Sequence, residues 1–228
     1  MRTRLLAILI AALAAGCTRS SSPPPASPPA SADPALQTTF TDDFERSELG
    51  PTGTTPVGRT GFEGGRLVFA RVHNHPLWLK RRLPDDVRIE FDCLSKSPDG
   101  DIKVEVAGDG KTFQSDQDVA RDLIYTASGY VFIFGGWSNS RSVLIRQDEH
   151  EWQHRAGVPQ RTSPRVEPGR SYHWTLEKKG THLTWKLDGQ TFLERDDPNP
   201  LAGPGHDRFG FNGWETEVSC DHLKIEPL

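Results

Sequence analysis

The fold is decided by the stretch Tyr172–Glu194, which reads YHWTLEKKGTHLTWKLDGQTFLE. It contains three short runs of β-branched, aromatic and alternating apolar residues, separated by turn residues. Asp188-Gly189 between two such runs is a strong signal for a two-residue β-hairpin, because both residues tolerate the backbone angles of that turn. Trp174 and Trp185 alternate with polar neighbours, so we expect at least one of these indoles in the core. The stretch therefore predicts antiparallel β-strands.

Runs of the same kind recur outward from this stretch, with Asp-Gly and similar turn signals between them. The predicted strands are Thr39–Phe44, Arg66–Val72, Leu77–Arg82, Val87–Leu94, Ile102–Val106, Tyr130–Phe134, Ser142–Arg146, Tyr172–Lys178, Leu183–Leu187, Thr191–Glu194, Arg208–Asn212 and Val218–Glu226. Ser115–Leu123 is predicted as one short helix. Short strands with regular turns predict an all-β fold, a two-sheet antiparallel β-sandwich or jelly roll.

The N-terminus has the pattern of an export signal. Arg2 and Arg4 precede an apolar run that is shorter than the roughly 20 residues of a membrane span. Small residues then lead into Cys17, an order that resembles the bacterial lipobox, in which the cysteine is lipidated and becomes the new N-terminus. The alternative is an ordinary signal peptide with a cysteine nearby by chance. We expect residues 1–16 to be the signal and Cys17 to carry lipid.

Residues 17–38 are rich in Ser, Pro and Ala and bury too little apolar surface to fold, so they predict a tether. Residues 39–228 then suit a single domain. The formal net charge is −4 for the whole chain and −6 without residues 1–16. A mildly acidic chain without a basic stripe argues against nucleic acid as a partner.

The three cysteines suggest one disulfide. With Cys17 lipidated, Cys93 and Cys220 remain as a pair in an exported, oxidising setting. Each lies in a strand-like run, so we expect a bond that links an early strand to the last one. The alternative is two reduced, buried thiols.

Several fragments together resemble the concanavalin A-like lectin/glucanase superfamily, and most of all the exported bacterial domains of the 3-keto-disaccharide-hydrolase type. The fragments are Asp42-Asp43-Phe44, Gly65-Arg66-Leu67, Arg170–Trp174, Leu183–Gln190 and the closing Asp221–Leu228. The resemblance implies two curved antiparallel sheets with a concave face that meets carbohydrate. These motifs are structural, and a shared fold does not carry function by itself.

The segment from Phe134 to His154 is explained least by folding alone. It combines two glycines, two tryptophans and a cluster of charged residues. In sugar-binding sites, aromatic rings stack on the sugar and charged groups hydrogen-bond its hydroxyls. The residues proposed to contact a ligand are Trp137, Arg141, Arg146, Asp148, Glu149, His150, Trp152 and Trp214. The alternative is that the aromatic residues pack the core or a loop and that the charges are solvated.

Enzymatic action on glycosides is a second hypothesis. Glu90-Phe91-Asp92 begins the Glu-x-Asp-x-x-Glu pattern of the superfamily's glucanases, but Ser95 stands in place of the second glutamate. Glu215 and Glu217 offer another pair on one face of a strand.

A keto-sugar hydrolase or lyase would need a base and a donor that steadies an enolate. Glu149 or His150 are the candidate bases, and Arg146 or Arg141 the candidate donors. We expect no cofactor. A divalent metal is left open, because His73 and His75 would share one face of an extended strand, without an obvious third ligand.

The sequence thus predicts a monomeric, lipid-anchored protein of the bacterial cell envelope, with the outer membrane favoured. We expect its β-sandwich domain to bind carbohydrate or glycoconjugate on its concave face. The alternatives are an enzyme that acts on glycosides in the same groove and a structural lipoprotein that contacts other proteins.

Overall fold

The computed structural model describes residues 33–50, 57–111, 127–150 and 156–228, without the side chains of Asp148 and His150. Cys17, the predicted helix Ser115–Leu123 and Trp152 lie outside the described residues. The described strands are β1 (Phe40–Asp42), β2 (Arg59–Glu63), β3 (Arg66–Ala70), β4 (Leu77–Trp78), β5 (Val87–Ser95), β6 (Ile102–Gly108), β7 (Tyr130–Gly135), β8 (Arg141–Arg146), β9 (Gln160–Arg161), β10 (Tyr172–Lys179), β11 (His182–Leu187), β12 (Gln190–Asp196), β13 (Arg208–Asn212) and β14 (Glu217–Pro227). Short turns with helical hydrogen bonds span Gly136–Asn139 and Gln147–His150.

These strands form two antiparallel sheets within the described residues. One sheet has the order β12-β11-β10-β5-β14-β3-β2, with β1 also paired to β14, and the other has the order β4-β13-β6-β7-β8-β9. The predicted all-β, two-sheet sandwich is therefore confirmed. No helix in the described ranges has the length and apolar character needed to cross a membrane.

The hairpin signal at Asp188-Gly189 is confirmed. Both residues have positive φ angles, 50° and 77°, and they join β11 to β12 as a two-residue loop. Trp174 on β10 and Trp185 on β11 are fully buried, with ring centroids 4.6 Å apart, so both indoles belong to the core.

Cys93 on β5 lies directly opposite Cys220 on β14, and the two form the predicted disulfide. The bond closes a sequence separation of 127 residues. In the chain-entropy account, a loop of that length stabilises the folded state by about 4–5 kcal/mol.

The strand prediction misses two strands and overextends a third. β2 and β9 were not predicted, because β2 contains Gly61 and β9 has only two residues. The predicted strand Leu77–Arg82 shortens to Leu77–Trp78, since Arg82 leaves the sheet and exchanges backbone hydrogen bonds with Pro34 and Leu36.

The expected extended strand at His73–His75 is also wrong. His73 and Asn74 have φ angles of 47° and 62°, which turn the chain, and His75 is buried. The two imidazoles therefore do not share the face of a strand.

The chain joins the domain before residue 39. The compact unit spans Ala32–Leu228, and Leu36 is buried in the main core cluster. Arg208 forms an ion pair with Asp33 at 2.6 Å.

The outer face of the six-stranded sheet differs from that of the eight-stranded sheet. On β5 buried and half-buried residues alternate, as expected for a sheet with one face in the core. On β6 and β7 every residue is buried. The outward-facing residues of β6, Lys103 and Glu105, are thus polar groups held away from water.

Candidate functional site

Trp137 is presented by an unusual turn at the end of β7. Trp137, Ser138 and Asn139 have φ angles of 51°, 55° and 58°, so three successive residues with side chains adopt the left-handed region. This conformation costs roughly 1–2 kcal/mol for each such residue, and it persists only where the surroundings hold it. The indole of Trp137 is 37% exposed.

Asn139 holds this turn in place. Its Nδ2 donates to the carbonyl oxygens of Pro98 and Val166 at 3.0 and 2.8 Å, and its Oδ1 accepts from the backbone N–H of Val166 at 2.9 Å. Gly135 has a φ of 69°, and a Cβ there would lie 2.6 Å from both Asn139 Oδ1 and a methyl group of Val166. The turn is therefore held by hydrogen bonds from Asn139 to two other segments, at Pro98 and Val166.

A cavity of about 410 Å³ lies beside this turn. Trp137 and Trp214 line it together with Ile133, which faces outward on β7. The remaining lining residues are Asn74, Asp99, Asp101, Lys103, Gly136, Ser138, Glu215 and Thr216. The volume falls within the range of small-molecule sites in proteins, about 300–1,000 Å³.

Polar groups line the inner part of the cavity. Lys103 Nζ donates to Asn74 Oδ1 at 2.9 Å and lies 3.2 Å from Asp101 Oδ1. Asp101 Oδ2 is buried and has no hydrogen-bond partner among the described residues. The Lys103 ammonium group and the Asp101 carboxylate thus lie at the wall of a partly apolar cavity.

Glu105 follows Lys103 on the same outer face of β6. Its Oε1 accepts a hydrogen bond from Asn212 Nδ2 at 2.6 Å, whereas Oε2 is buried without a partner in the described ranges. Burial raises the pKa of Glu105 to about 8, and the polar side chains of Asn212 and Gln147 beside it offset this only in part. Glu105 is therefore a carboxyl group that stays protonated near neutral pH.

Trp78 lies on this face beyond Glu105. Gly210 pairs with both Trp78 and Glu105, so the three residues form a row across β4, β13 and β6. A Cβ at Gly210 would lie 2.8 Å from the indole of Trp78, so only glycine lets the ring lie flat over β13. Trp78 therefore lies on this face beyond Glu105, and the cavity tryptophans lie beyond Lys103.

Trp214 is held at the rim of the cavity by His73. The two ring centroids are 4.8 Å apart, and His73 Nε2 contacts Glu215 Oε1 at 2.7 Å. The backbone N–H of Asn74 also donates to the carbonyl oxygen of Gly213 at 2.9 Å. The turn at His73 and Asn74, which replaces the extended strand expected from the sequence, thus supports the segment that carries Trp214.

The structure brings three of the predicted site residues together. Trp137 and Trp214 line one cavity, and the Arg141 guanidinium carbon lies 5.8 Å from the centre of the Trp137 ring. Arg146 and Glu149 lie at the other end of β8, and Glu149 lines a separate cavity of about 260 Å³ that shares no lining residue with the first. A role for Arg146 and Glu149 in ligand binding stays a prediction.

Arg146 and Glu149 are engaged with protein groups. Arg146 forms an ion pair with Asp197 at 3.1 Å. Glu149 receives a bidentate pair from the Arg195 guanidinium, and its Oε2 accepts from the backbone N–H of Arg146. Burial by itself would raise the pKa of Glu149, but these donors hold it below its usual value. A carboxylate held in this way is a weak general base.

The other candidates lie apart from the cavity or outside the description. The side chains of Asp148 and His150 are not described, and neither is Trp152. Asp92 contacts His173 and His222 on the eight-stranded sheet, away from the cavity. In the described part of the chain, no group of three His, Cys, Asp or Glu residues could hold a metal ion.

Sequence reasoning missed Lys103 and Glu105. The available signal was two charged residues inside the otherwise apolar run Ile102–Val106. In a central strand, such residues face either solvent or a site, and the alternation does not decide between the two.

Known proteins resemble this chain in structure. No protein-family model matches it, and no curated protein matches it. A protein of unknown function with a galectin-like fold from Bacillus subtilis is 12% identical, covers 82% of this chain and 94% of its own, and has a TM-score of 0.63. A native glycosidic hydrolase is 10% identical, with coverage of 85% and 98% and a TM-score of 0.54. The β-glucanase of Bacillus licheniformis is 7% identical, with coverage of 84% and 99% and a TM-score of 0.51.

At these identities the likeness concerns the fold alone. The protein therefore has the galectin-like and glucanase-like β-sandwich fold, of the concanavalin A-like kind that its sequence resembles.

Proposed function

We propose that this protein binds carbohydrate in the cavity between Trp137 and Trp214, on the outer face of the six-stranded sheet. The observation that carries the proposal is a pair of tryptophans at a cavity of about 410 Å³ with hydrogen-bonding groups on its wall. Indoles offer flat apolar faces to the C–H side of a sugar ring, and the polar groups orient its hydroxyls. Structures named as a glycosidic hydrolase and a β-glucanase share the fold, which supports the same class of ligand.

The experiment is a titration of the purified full chain with a panel of neutral oligosaccharides and polysaccharides, followed by calorimetry. Trp137→Ala and Trp214→Ala should each weaken binding about tenfold or more, which corresponds to about 1.4 kcal/mol. The matched control is His182→Ala, which removes an exposed ring from the eight-stranded sheet. Binding that both tryptophan variants retain in full would refute the site.

Glycoside hydrolysis is the second candidate function, and Glu105 favours it. A carboxyl group that is protonated at neutral pH has the property required of a general acid. Glycosidases of the usual kind need a second carboxyl group about 5–10 Å away. The neighbours of Glu105 across the sheet are Gly210 and Val131, and Lys103 precedes it on the same face. Asp109 is a carboxylate whose charge also raises the pKa of Glu105, so it is the candidate second carboxyl group. Binding remains the first proposal because the tryptophan-lined cavity carries it.

Turnover distinguishes the two candidates. Incubation with ordinary and 3-keto disaccharides, with and without divalent metal, should leave the substrates intact if the site only binds. Hydrolysis that Glu105→Gln abolishes would establish the enzyme instead, and activity on 3-keto sugars would support the finer family resemblance.

We further propose that Cys17 carries lipid and holds the domain at the bacterial cell envelope, with the outer membrane favoured. The support is the basic, apolar and small-residue order before Cys17. Growth with a labelled fatty acid tests this, because the protein should incorporate label and Cys17→Ser should not.

A further inference from the structure

Lys103 is a buried amine in direct contact with a side-chain amide. It lies on β6, between β13 and β7, and its side chain is only 7% exposed. Its Nζ donates to Asn74 Oδ1 at 2.9 Å and lies 3.2 Å from Asp101 Oδ1. An amine, an amide and a carboxyl group therefore meet in one place, although Asn74 and Lys103 are 29 residues apart in the chain.

The amine is close to the carbonyl carbon of this amide. Asn74 Oδ1 is bonded to Cγ at about 1.2 Å, so the 2.9 Å hydrogen bond places Lys103 Nζ within about 4.1 Å of Cγ. Reacting atoms in a near-attack conformation are about 3–3.5 Å apart. A shift of Nζ by about 1 Å at most would therefore bring the two atoms to the distance of reaction.

Both partners are held in place by backbone contacts. β6 is paired on both sides, with Lys103 opposite Asn212 on β13 and Ile133 on β7. Asn74 is 8% exposed, and its backbone N–H donates to the carbonyl oxygen of Gly213 at 2.9 Å. Neighbours fixed in this way react as if at concentrations far above those of free molecules.

Asp101 can take the proton that the lysine must lose. Nucleophilic attack requires a neutral amine, and Asp101 Oδ1 is in contact with Nζ. Asp101 is 7% exposed, and its Oδ2 is buried without a hydrogen-bond partner among the described residues. A buried ion pair carries a large desolvation penalty, so proton transfer to a neutral acid and a neutral amine costs less here than in water.

We propose that Lys103 and Asn74 form an intramolecular isopeptide bond, with Asp101 as the catalytic acid and base. Lys103 transfers a proton to Asp101, and its Nζ attacks Cγ of Asn74. The Nζ–Cγ bond forms, a second proton moves from Nζ to Nδ2, and the Cγ–Nδ2 bond breaks to release ammonia. The ammonia takes the first proton from Asp101, which restores the carboxylate, and leaves as ammonium through the cavity that Asn74 and Asp101 line.

The bond would link β6 covalently to the turn that supports Trp214. The Cys93–Cys220 disulfide lies in the eight-stranded sheet, so the isopeptide bond would be a cross-link in the other half of the sandwich. A cross-link restricts the unfolded chain, and an amide bond, unlike a disulfide, is not broken by reductants.

The experiment is tryptic peptide mapping of the purified full chain by mass spectrometry, after reduction of the disulfide. Trypsin does not cleave after an acylated lysine, so the bond predicts a branched peptide that joins residues 72–80 to residues 97–111. Its mass should be the sum of the two linear peptides minus one ammonia. The unlinked peptides 72–80 and 97–103 should be largely absent.

Three variants test the assigned roles. Lys103→Arg and Asn74→Ala should each abolish the branched peptide, because one removes the amine and the other the amide. Asp101→Asn should lower its yield about tenfold or more in freshly made protein, because an amide does not accept the proton. The matched control is Lys178→Arg, a second buried lysine, whose Nζ donates to the backbone carbonyl oxygen of Asp85. This control should keep the branched peptide.

Wild-type protein that yields only the unlinked peptides would overturn the inference, whether or not any variant folds. A branched peptide that Asp101→Asn forms in full would overturn the role of Asp101. The mass of the peptides does not depend on sugar binding, so failure of this inference leaves the proposed function standing.

Discussion

Two pairs of tryptophans show how differently the same side chain is used in this molecule. Trp174 and Trp185 are fully buried between the sheets and stack on each other. Trp137 and Trp214 instead line a cavity, on a left-handed turn and on the segment before β14. The alternation of apolar and polar residues on β10 and β11 places Trp174 and Trp185 in the core. Irregular backbone instead places Trp137 and Trp214 at the cavity. The first pair should therefore matter for stability and the second for binding.

The largest expected effect is on stability, from Trp174→Ala. Removing a fully buried indole from the core should lower the free energy of unfolding by about 3–5 kcal/mol. Trp137→Ala should change it by less than about 1 kcal/mol, because the indole is partly exposed. Denaturant unfolding of both variants and the wild type measures the difference.

An equal loss of stability in the two variants would contradict the division between core and cavity tryptophans. Trp185→Ala provides the matched core variant, and it should behave like Trp174→Ala.

The second prediction concerns Glu105, which lies between Trp78 and the cavity. Its folded-state pKa of about 8 lies above the ordinary value, so its contribution to stability is fully present below about pH 4.5 and is lost as the pH rises toward 8. Glu105→Gln cannot ionise, so its free energy of unfolding should rise relative to the wild type over that range, by a few kcal/mol, on the order that such a shift implies.

The measurement is the difference in the free energy of unfolding between wild type and Glu105→Gln at pH 5 and at pH 8.5. Other titrating groups cancel in this difference. A gap that does not depend on pH would mean that the carboxyl is ionised at neutral pH in the folded protein, which would also remove the case for a general acid.

The third and smallest expected effect concerns the turn that presents Trp137. Asn139→Ala removes three hydrogen bonds to the backbone, of which the two to Val166 are buried, so we expect a loss of about 1–3 kcal/mol in the free energy of unfolding. Sugar affinity should fall with it, because the left-handed turn would lose its anchor. Thermal unfolding and calorimetry measure the two effects.

Ser138→Gly is the matched variant in the same turn. Glycine adopts a positive φ without strain, so this change should raise stability by about 0.5–1 kcal/mol, whereas Asn139→Ala lowers it. A Ser138→Gly variant destabilised by more than the roughly 1 kcal/mol that glycine costs through the unfolded chain would show that the turn is not strained in the folded protein.

The sequence predicted the strands and the core well for a physical reason. Alternation of apolar and polar residues, as in Val87–Leu94, is a local pattern that sets which face is buried. Asp188-Gly189 specified its own hairpin for the same reason, since its turn geometry depends on two adjacent residues. The Cys93–Cys220 bond followed from compartment and composition more than from local structure.

The sequence predicted the site only in part. The closeness of the candidates Gly135–His154 along the chain predicts one shared surface. A strand separates the two ends of this segment in space, so Trp137 and Arg141 lie at one cavity and Glu149 at another. Lys103 on β6 and Asp101 just before β6 line the same cavity as Trp137, which spacing along the chain does not reveal.

The sequence by itself determined the β-sandwich and the burial of at least one of Trp174 and Trp185, because both depend on alternation among residues near one another in the chain. The tertiary structure decided which tryptophans share a cavity and which carboxylates lie beside them. Those relations depend on the register of β6, β7 and β13 and on the left-handed turn at Trp137, and both are set by contacts between residues far apart in sequence.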